Sequence, residues 1–267
     1  MKKFGIGILS FNRPVYLRAT LQGLKSNDLT DCDVWLFQDG AVCEFTGAVR
    51  ANQADLDECV KAFKESGFSN VVRHEYNISI ARNRLALLQC LSADYSIFMQ
   101  LEDDVVMARH CVQIMRHLLE QFADKQDMGM IVSGLMDIAD NDSLCLYREQ
   151  LHISCFATRR EWFAPVLVRF LQYCEAIGGQ EYPAHNWIPE AKALIGSKLP
   201  PSSDGGLSWA ATVSGRLVWT LGRPRTRGIG VMGMHFRPEI YERLKLGEVV
   251  LRDYEGETEV EWQRIPA

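Results

Sequence analysis

Along the chain, short and densely apolar runs alternate with segments whose apolar residues recur at helical spacing. Phe4–Ser10 is almost wholly apolar, as expected of a strand covered on both faces, and Pro14 followed by Leu17, Leu21 and Leu24 predicts a helix opened by proline. Val34–Gln38 predicts a second strand, stopping at Asp39-Gly40, and Leu56–Ser66 a helix stopped by Gly67. Val71–His74 reads as a third strand. The stretch from Asn77 or Ser79 through Leu91 reads as a helix with Leu85, Leu88 and Leu91 on one side. Tyr95–Leu101 predicts a fourth strand, followed by a helix near Arg109–Ala123 and a strand at Met128–Ser133. This alternation predicts an α/β fold, a mainly parallel sheet with helices on both faces.

After residue 135 the pattern loosens. A helix is expected at Trp162–Ile177. The polar stretch Gly178–Ser203, with Tyr182, His185 and Trp187, has the length of a lid or binding loop. A short helix (Leu207–Val213), a strand (Leu217–Leu221) and a basic loop (Gly222–Gly230) follow. The acidic tail Asp253–Glu261 reads either as a strand with alternating carboxylates or as a frayed end. With no repeat and no low-complexity linker, residues 1–267 are expected to form a single domain.

The chemistry concentrates where the fourth strand ends. YSIFMQLEDDV places three consecutive carboxylates, Glu102, Asp103 and Asp104, directly after an apolar run. Burying three like charges without counter-ions is costly, so the triplet is expected at the strand's open end, facing a cation. Hard oxygen ligands suit Mg²⁺ or Mn²⁺, which usually take their remaining ligands from water and substrate phosphates. A helix N-cap is the competing explanation, and it accounts for one carboxylate rather than three. In parallel sheets ligands bind beyond the carboxyl ends of the strands. Ser10, Asn12 and Arg13 after the first strand, Asp39 after the second and the triplet after the fourth should therefore converge on one crevice.

Composition narrows the function classes. The net charge of −5 argues against a general nucleic-acid-coating surface, yet Arg216–Lys245 holds seven Lys/Arg against two Asp/Glu, a local setting for a polyanion such as a diphosphate. No apolar run reaches the roughly 18–20 residues that span a bilayer, and Asn12, Arg13 and Pro14 interrupt any signal-peptide core, so a cytoplasmic protein without a membrane span is expected. The eight cysteines form no CxxC pair, which argues against zinc and against a disulfide framework. A Walker loop, a GxGxxG directly after the first strand and a GxSxG are missing, removing the commonest ATPase, dehydrogenase and hydrolase readings.

The blocks GIGILSFNRPVYLRATL, VWLFQDGA, NISIARNRLALL and FMQLEDDVV resemble glycosyltransferases of the GT-A fold, most of all the N-acetylglucosaminyltransferase I type. That type carries an EDD triplet and a later Arg-Thr-x-x-x-Gly segment, whose counterpart here is RPRTRGIGVMGMH, Arg223–His235. The resemblance implies a Rossmann-like GT-A domain, with residues 1–134 as the nucleotide-sugar-binding half and 135–267 as a C-terminal acceptor-side subregion holding the catalytic base. It implies a UDP-sugar donor and Mn²⁺ (or Mg²⁺) on Asp104, with Glu102 and Asp103 on the sugar or ribose. Asp39 would accept from a uracil-like base, Arg13 and Arg82 would lie near base or phosphates, and Arg225 and Arg227 would belong to the basic loop at the diphosphate. Asp204 would be the base of an inverting transfer, with Glu190 and Asp137 as reserves, and His235 would complete the metal shell or bond the diphosphate. As an ordinary turn or capping residue, Asp204 would instead simply start the next helix.

The animal enzymes carry a membrane anchor and stem and this sequence shows neither, so a bacterial or viral version is expected. The acceptor hydroxyl stays open between a glycan, a lipid-linked sugar, a protein side chain and a small molecule. The alternative is a hydroxymethylated base in viral DNA, held by Tyr182 and Trp187. A sugar-nucleotidyltransferase would need a Gly-rich loop with lysine after the first strand, which is missing. A non-catalytic nucleotide-sugar binding module is the alternative of another class.

Overall fold

Alternation within β1 (Phe4–Ser10) sets the layering. Phe4, Ile6 and Ile8 belong to one core. Gly5 and Gly7 point the other way, where an added Cβ would lie 2.4 Å from the Tyr95 ring and 2.8 Å from Leu87. The two glycines thus let a helix lie close on that face. The computed structural model describes residues 3–134, 144–147, 153–178, 188–196, 202–231, 238–253 and 262–264.

After β1 the chain runs through α1 (Pro14–Lys25), β2 (Cys32–Gln38), α2 (Gln53–Glu65), β3 (Asn70–Arg73), α3 (Ile80–Asp94), β4 (Ile97–Glu102), β5 (Val105–Met107), α4 (Cys111–Gln121) and β6 (Met128–Val132). Then follow β7 (Leu144–Tyr147), β8 (Cys155–Arg159), α5 (Arg160–Ala176), α6 (Pro189–Ile195), α7 (Ser203–Val213), β9 (Leu217–Leu221), β10 (Thr226–Gly228), α8 (Pro238–Arg243) and β11 (Trp262–Arg264).

The main sheet has the order β11-β7-β9-β6-β8-β4-β1-β2-β3. Neighbours β3, β2, β1 and β4 are parallel, and β6 and β9 run with them. Strand β8 is antiparallel between β4 and β6, and β7 is antiparallel to β9. The mainly parallel α/β sheet expected from the sequence is present. Two cores flank it. Leu17, Leu21 and Leu24 of α1, Phe63 of α2 and Leu118 of α4 pack with Phe4, Ile6 and Ile8. Leu87, Leu88 and Leu91 of α3, Phe163 and Phe170 of α5 and Leu207 of α7 pack with Phe98 and Phe156 on the opposite face. Each such side chain contributes roughly 1.5–3 kcal/mol when fully buried.

Strand register levels the open ends of the sheet: Leu9 lies opposite Glu102 and Ser10 opposite Gln38. Asp39 and Asp103 therefore emerge beside the turn that follows β1. Strand β10 pairs antiparallel with β5, Gly228 opposite Val105, so part of the expected basic loop is a strand pinned next to the triplet. The expected loop Gly178–Ser203 contains α6 in its described part. Tyr182, His185, Trp187, Asp137 and the tail from 254 to 261 lie outside the described residues. Among the described residues no helix is long and apolar enough to cross a membrane.

Candidate active site

The triplet is followed by β5 rather than by a helix, and α4 begins only after His110, so neither Asp103 nor Asp104 caps it. Instead the carboxylates meet Arg13. Its Nη1 donates to Asp104 Oδ2 at 2.8 Å and its Nη2 to Asp103 Oδ1. Asp103 is buried, and its Oδ2 also accepts from Phe11 N at 3.2 Å while its carbonyl accepts from Thr20 Oγ1 at 2.8 Å. Burial raises the Asp103 carboxyl, against the pull of Arg13. Ile229 N donates to the Asp104 carbonyl at 2.8 Å, which brings Gly230 onto the carboxylate. A Cβ at Gly230 would sit 2.0 Å from Asp104 Oδ2, so this close approach requires glycine.

Asp39 is buried at the end of β2, and its Oδ1 accepts from Gly40 N at 3.0 Å and Ile78 N at 2.9 Å. Burial pushes its carboxyl up to about 7 even though both N–H groups favour the anion. Gly40 is needed beside it, because a Cβ would fall 2.3 Å from the Tyr76 carbonyl carbon. Ser10 ties the strand ends together: its Oγ donates to Gln38 Oε1 at 3.1 Å and its carbonyl accepts from Asp39 N at 3.0 Å. Asn12 is half-buried in the turn before α1. Ser79 precedes α3 at φ 76° and ψ 157° without capping it, and its buried Oγ has no hydrogen-bond partner. Arg82 donates to Gly178 O at 2.6 Å, with its guanidinium 5.0 Å over the Phe45 ring.

The arginine that meets the acids from α3 is Arg84. It has no solvent exposure, and its Nη2 donates to Glu102 Oε1 while its Nη1 donates to Asp204 Oδ1 at 2.6 Å and Ser203 Oγ at 2.9 Å. Burial raises Glu102 well above the ordinary carboxylate range, with Arg84 opposing and Asp204 and Asp104 adding to the rise. Asp204 lies in the first turn of α7 but does not cap it; Ser202 does, its Oγ accepting from Gly205 N at 3.1 Å. The second Asp204 oxygen, Oδ2, lies 3.4 Å from Ile153 N.

The structure thus groups Arg13, Glu102, Asp103, Asp104 and Asp204 through two arginines. Arg225 is placed elsewhere: fully buried, it donates from Nη1 to Arg252 O at 2.7 Å. Arg227 is half-buried on β10, with Nη1 3.4 Å from Val249 O. Glu190 is exposed on α6, and His235 lies outside the described residues. Sequence reasoning passed over Arg84, although a signal was there: it falls four and seven residues before Leu88 and Leu91, a charged group in an apolar helical stripe.

Among the described residues four carboxyl groups here face two guanidiniums, and burial opposes their ionisation, so a cation would be favoured beside them. Among the described residues no group of three or more His, Cys, Asp or Glu is placed to hold a metal ion. Asp104 is nonetheless a hard donor at the crevice, with its side chain 17% exposed and only Oδ2 engaged by Arg13. One carboxylate completed by phosphate oxygens suits Mg²⁺ or Mn²⁺, so the residues fit such an ion as a shared ligand rather than as an all-protein cage.

No family model and no curated protein matches the chain. Solved structures do. S. aureus TarS 1-349 superposes with a TM-score of 0.52 at 12% identity, over 91% of this chain and 64% of that one. The chain shares that structure's mixed α/β, GT-A-like fold. It spans less than two thirds of the TarS chain it matches. A longer S. aureus TarS structure aligns at TM-score 0.49 and 12% identity over 84% of this chain and 36% of that one. The mannosyltransferase PcManGT from Pyrobaculum calidifontis, in complex with GDP-Man and Mn²⁺, aligns at 0.42 and 11% identity over 84% and 58%. Scores this low add nothing to the fold assignment. In this fold the grouped residues sit where open parallel sheets bind ligands, beyond the carboxyl ends of β1, β2 and β4.

Proposed function

We propose that the protein is a metal-dependent, inverting glycosyltransferase that moves a sugar from a UDP-sugar to an acceptor hydroxyl, with 1–134 as the donor half and 135–267 as the acceptor half. The observation that carries the reading is the grouping of Asp204, from the second half, with the Glu102–Asp104 triplet, from the first, across Arg84. The glycosyltransferase fold supports the reaction class. The narrower likeness to the N-acetylglucosaminyltransferase I type rests on the EDD triplet and the Arg-Thr-x-x-x-Gly segment alone.

Asp39 offers an acceptor for an imide N–H: its Oδ1 is committed to two backbone N–H groups, which leaves Oδ2 for the base. Glu102 and Asp103 line the approach to sugar and ribose. A divalent ion held by Asp104 would neutralise charge on the departing diphosphate. Asp204 takes the acceptor proton on Oδ2, which meets Ile153 N only at 3.4 Å, whereas Oδ1 is held by Arg84 at 2.6 Å. The freed oxygen attacks the anomeric carbon from the face opposite the diphosphate, the C–O bond to the diphosphate breaks, and configuration inverts. Arg82, whose guanidinium lies over Phe45, would serve the base or the phosphates.

Calorimetric titration of UDP, with and without Mn²⁺, on the wild type and on Asp104→Ala tests the donor assignment. Binding should require both the ion and Asp104, and a wild type that binds no UDP under any condition would sink the UDP-sugar reading.

A further inference from the structure

We infer that Arg84 is the positioning residue of the candidate base: it ties Asp204 to the strand that carries the acidic triplet and holds Oδ1 at 2.6 Å, so that Oδ2, touched by Ile153 N at the longer 3.4 Å, is the oxygen turned to the acceptor proton. The inference rests on Asp204 being the base.

Arg84 comes from α3 and reaches two other elements, Glu102 at the end of β4 and Ser203 with Asp204 in the first turn of α7. Helix α7 has its own cap in Ser202 and packs Gly206 against the Tyr173 ring, so neither its start nor its seating calls on Asp204. What Arg84 determines is the direction of the Asp204 carboxylate. A guanidinium directs its two terminal nitrogens along fixed lines, and here one faces each carboxylate; an ammonium has no such fork. The rest of the buried face of α3 is mostly apolar, with Ala81, Leu87, Leu88 and Leu91. A fully buried cation there is poorly explained by stability, since well-packed apolar residues commonly replace buried ion pairs at no loss. Its value lies in geometry, because displacing a catalytic group by about 1 Å costs on the order of 10²-fold in rate.

The test uses the full chain as Arg84→Lys, Arg84→Gln, Asp204→Asn and the Gln/Asn double variant. UDP affinity with Mn²⁺ is measured by calorimetry. Turnover is measured as UDP released from UDP-glucose, UDP-galactose and their N-acetyl forms, with water standing in for the acceptor hydroxyl. Arg84→Gln should lower kcat by about 10²-fold while UDP affinity stays within about threefold, and Arg84→Lys should recover about tenfold of the loss. In the double variant the Gln should cost nothing further than Asp204→Asn, because both act through one carboxylate. Losses that multiply, or a UDP affinity that falls in step with kcat, would make Arg84 a donor-site or structural residue and overturn the inference alone. A wild type that binds UDP and releases none from any donor overturns both the base assignment and the inference. If Arg84→Gln does not fold, Arg84→Lys decides: an unchanged kcat overturns the proposal.

Discussion

Asp39 carries the most readable chemistry of any single residue in the crevice. Its carboxyl is raised from 3.8 to about 7 because it is buried, with Ile78 N and Gly40 N only partly compensating. A carboxyl whose folded value is raised favours the native state while protonated. Its contribution is complete below about pH 4 and is lost as pH rises through about 7. Wild type should therefore lose stability relative to Asp39→Asn between those limits, with a slope approaching about 1.4 kcal/mol per pH unit. The asparagine oxygen can keep both N–H contacts, so the difference reports charge rather than shape. Urea unfolding of the two proteins from pH 4 to 8 checks it, and parallel pH profiles would mean the carboxylate is far better solvated than its burial implies. Asp39, Arg13 and the triplet were legible in sequence because each follows an apolar strand directly. For Arg84 the apolar stripe it interrupts signalled a buried charge but not its role, because its partner Asp204 comes from α7, 120 residues later in the chain.

At the scale of elements, the entry to α3 holds the local conflict. Ser79 has φ 76° and ψ 157°, a region almost reserved for glycine, which costs a side-chain-bearing residue about 1–3 kcal/mol. Its hydroxyl is also buried without a partner. Ser79→Gly should relieve both, less roughly 0.5–1 kcal/mol for the added freedom of the unfolded chain. A net gain of about 1 kcal/mol in urea unfolding is expected, and a net loss would show that the hydroxyl is satisfied in solution. The long periodic elements were legible: β1 and β9 have the expected limits, and α1 begins at Pro14 as expected. Strands β5 and β10 were not, since three residues are too few to show an alternation, and they exist through pairing with each other. The antiparallel β8 was missed because it is defined by its partners β4 and β6 on either side.

For the whole molecule, the distribution of charge bears on the acceptor. The sequence puts seven Lys/Arg between Arg216 and Lys245, which in isolation would suit a polyanion track for DNA. The fold spends some of that charge internally: Arg225 is fully buried on the Arg252 carbonyl, and Arg227 is half-buried near the Val249 carbonyl. Among the described residues the crevice has more carboxyl groups than guanidiniums, and the chain as a whole carries −5. A duplex approaching that mouth meets like charge, whereas a single diphosphate can be accommodated by one divalent ion. The protein should therefore leave duplex DNA unbound at about 0.15 M salt, hydroxymethylated or not, when followed by gel shift and fluorescence anisotropy. Binding that weakens steeply with salt, with a slope of several units in log K against log salt, would restore DNA as the acceptor. Absence of binding leaves the other hydroxyl acceptors, a glycan, a lipid-linked sugar, a protein side chain or a small molecule, to screen against whichever donor the wild type hydrolyses.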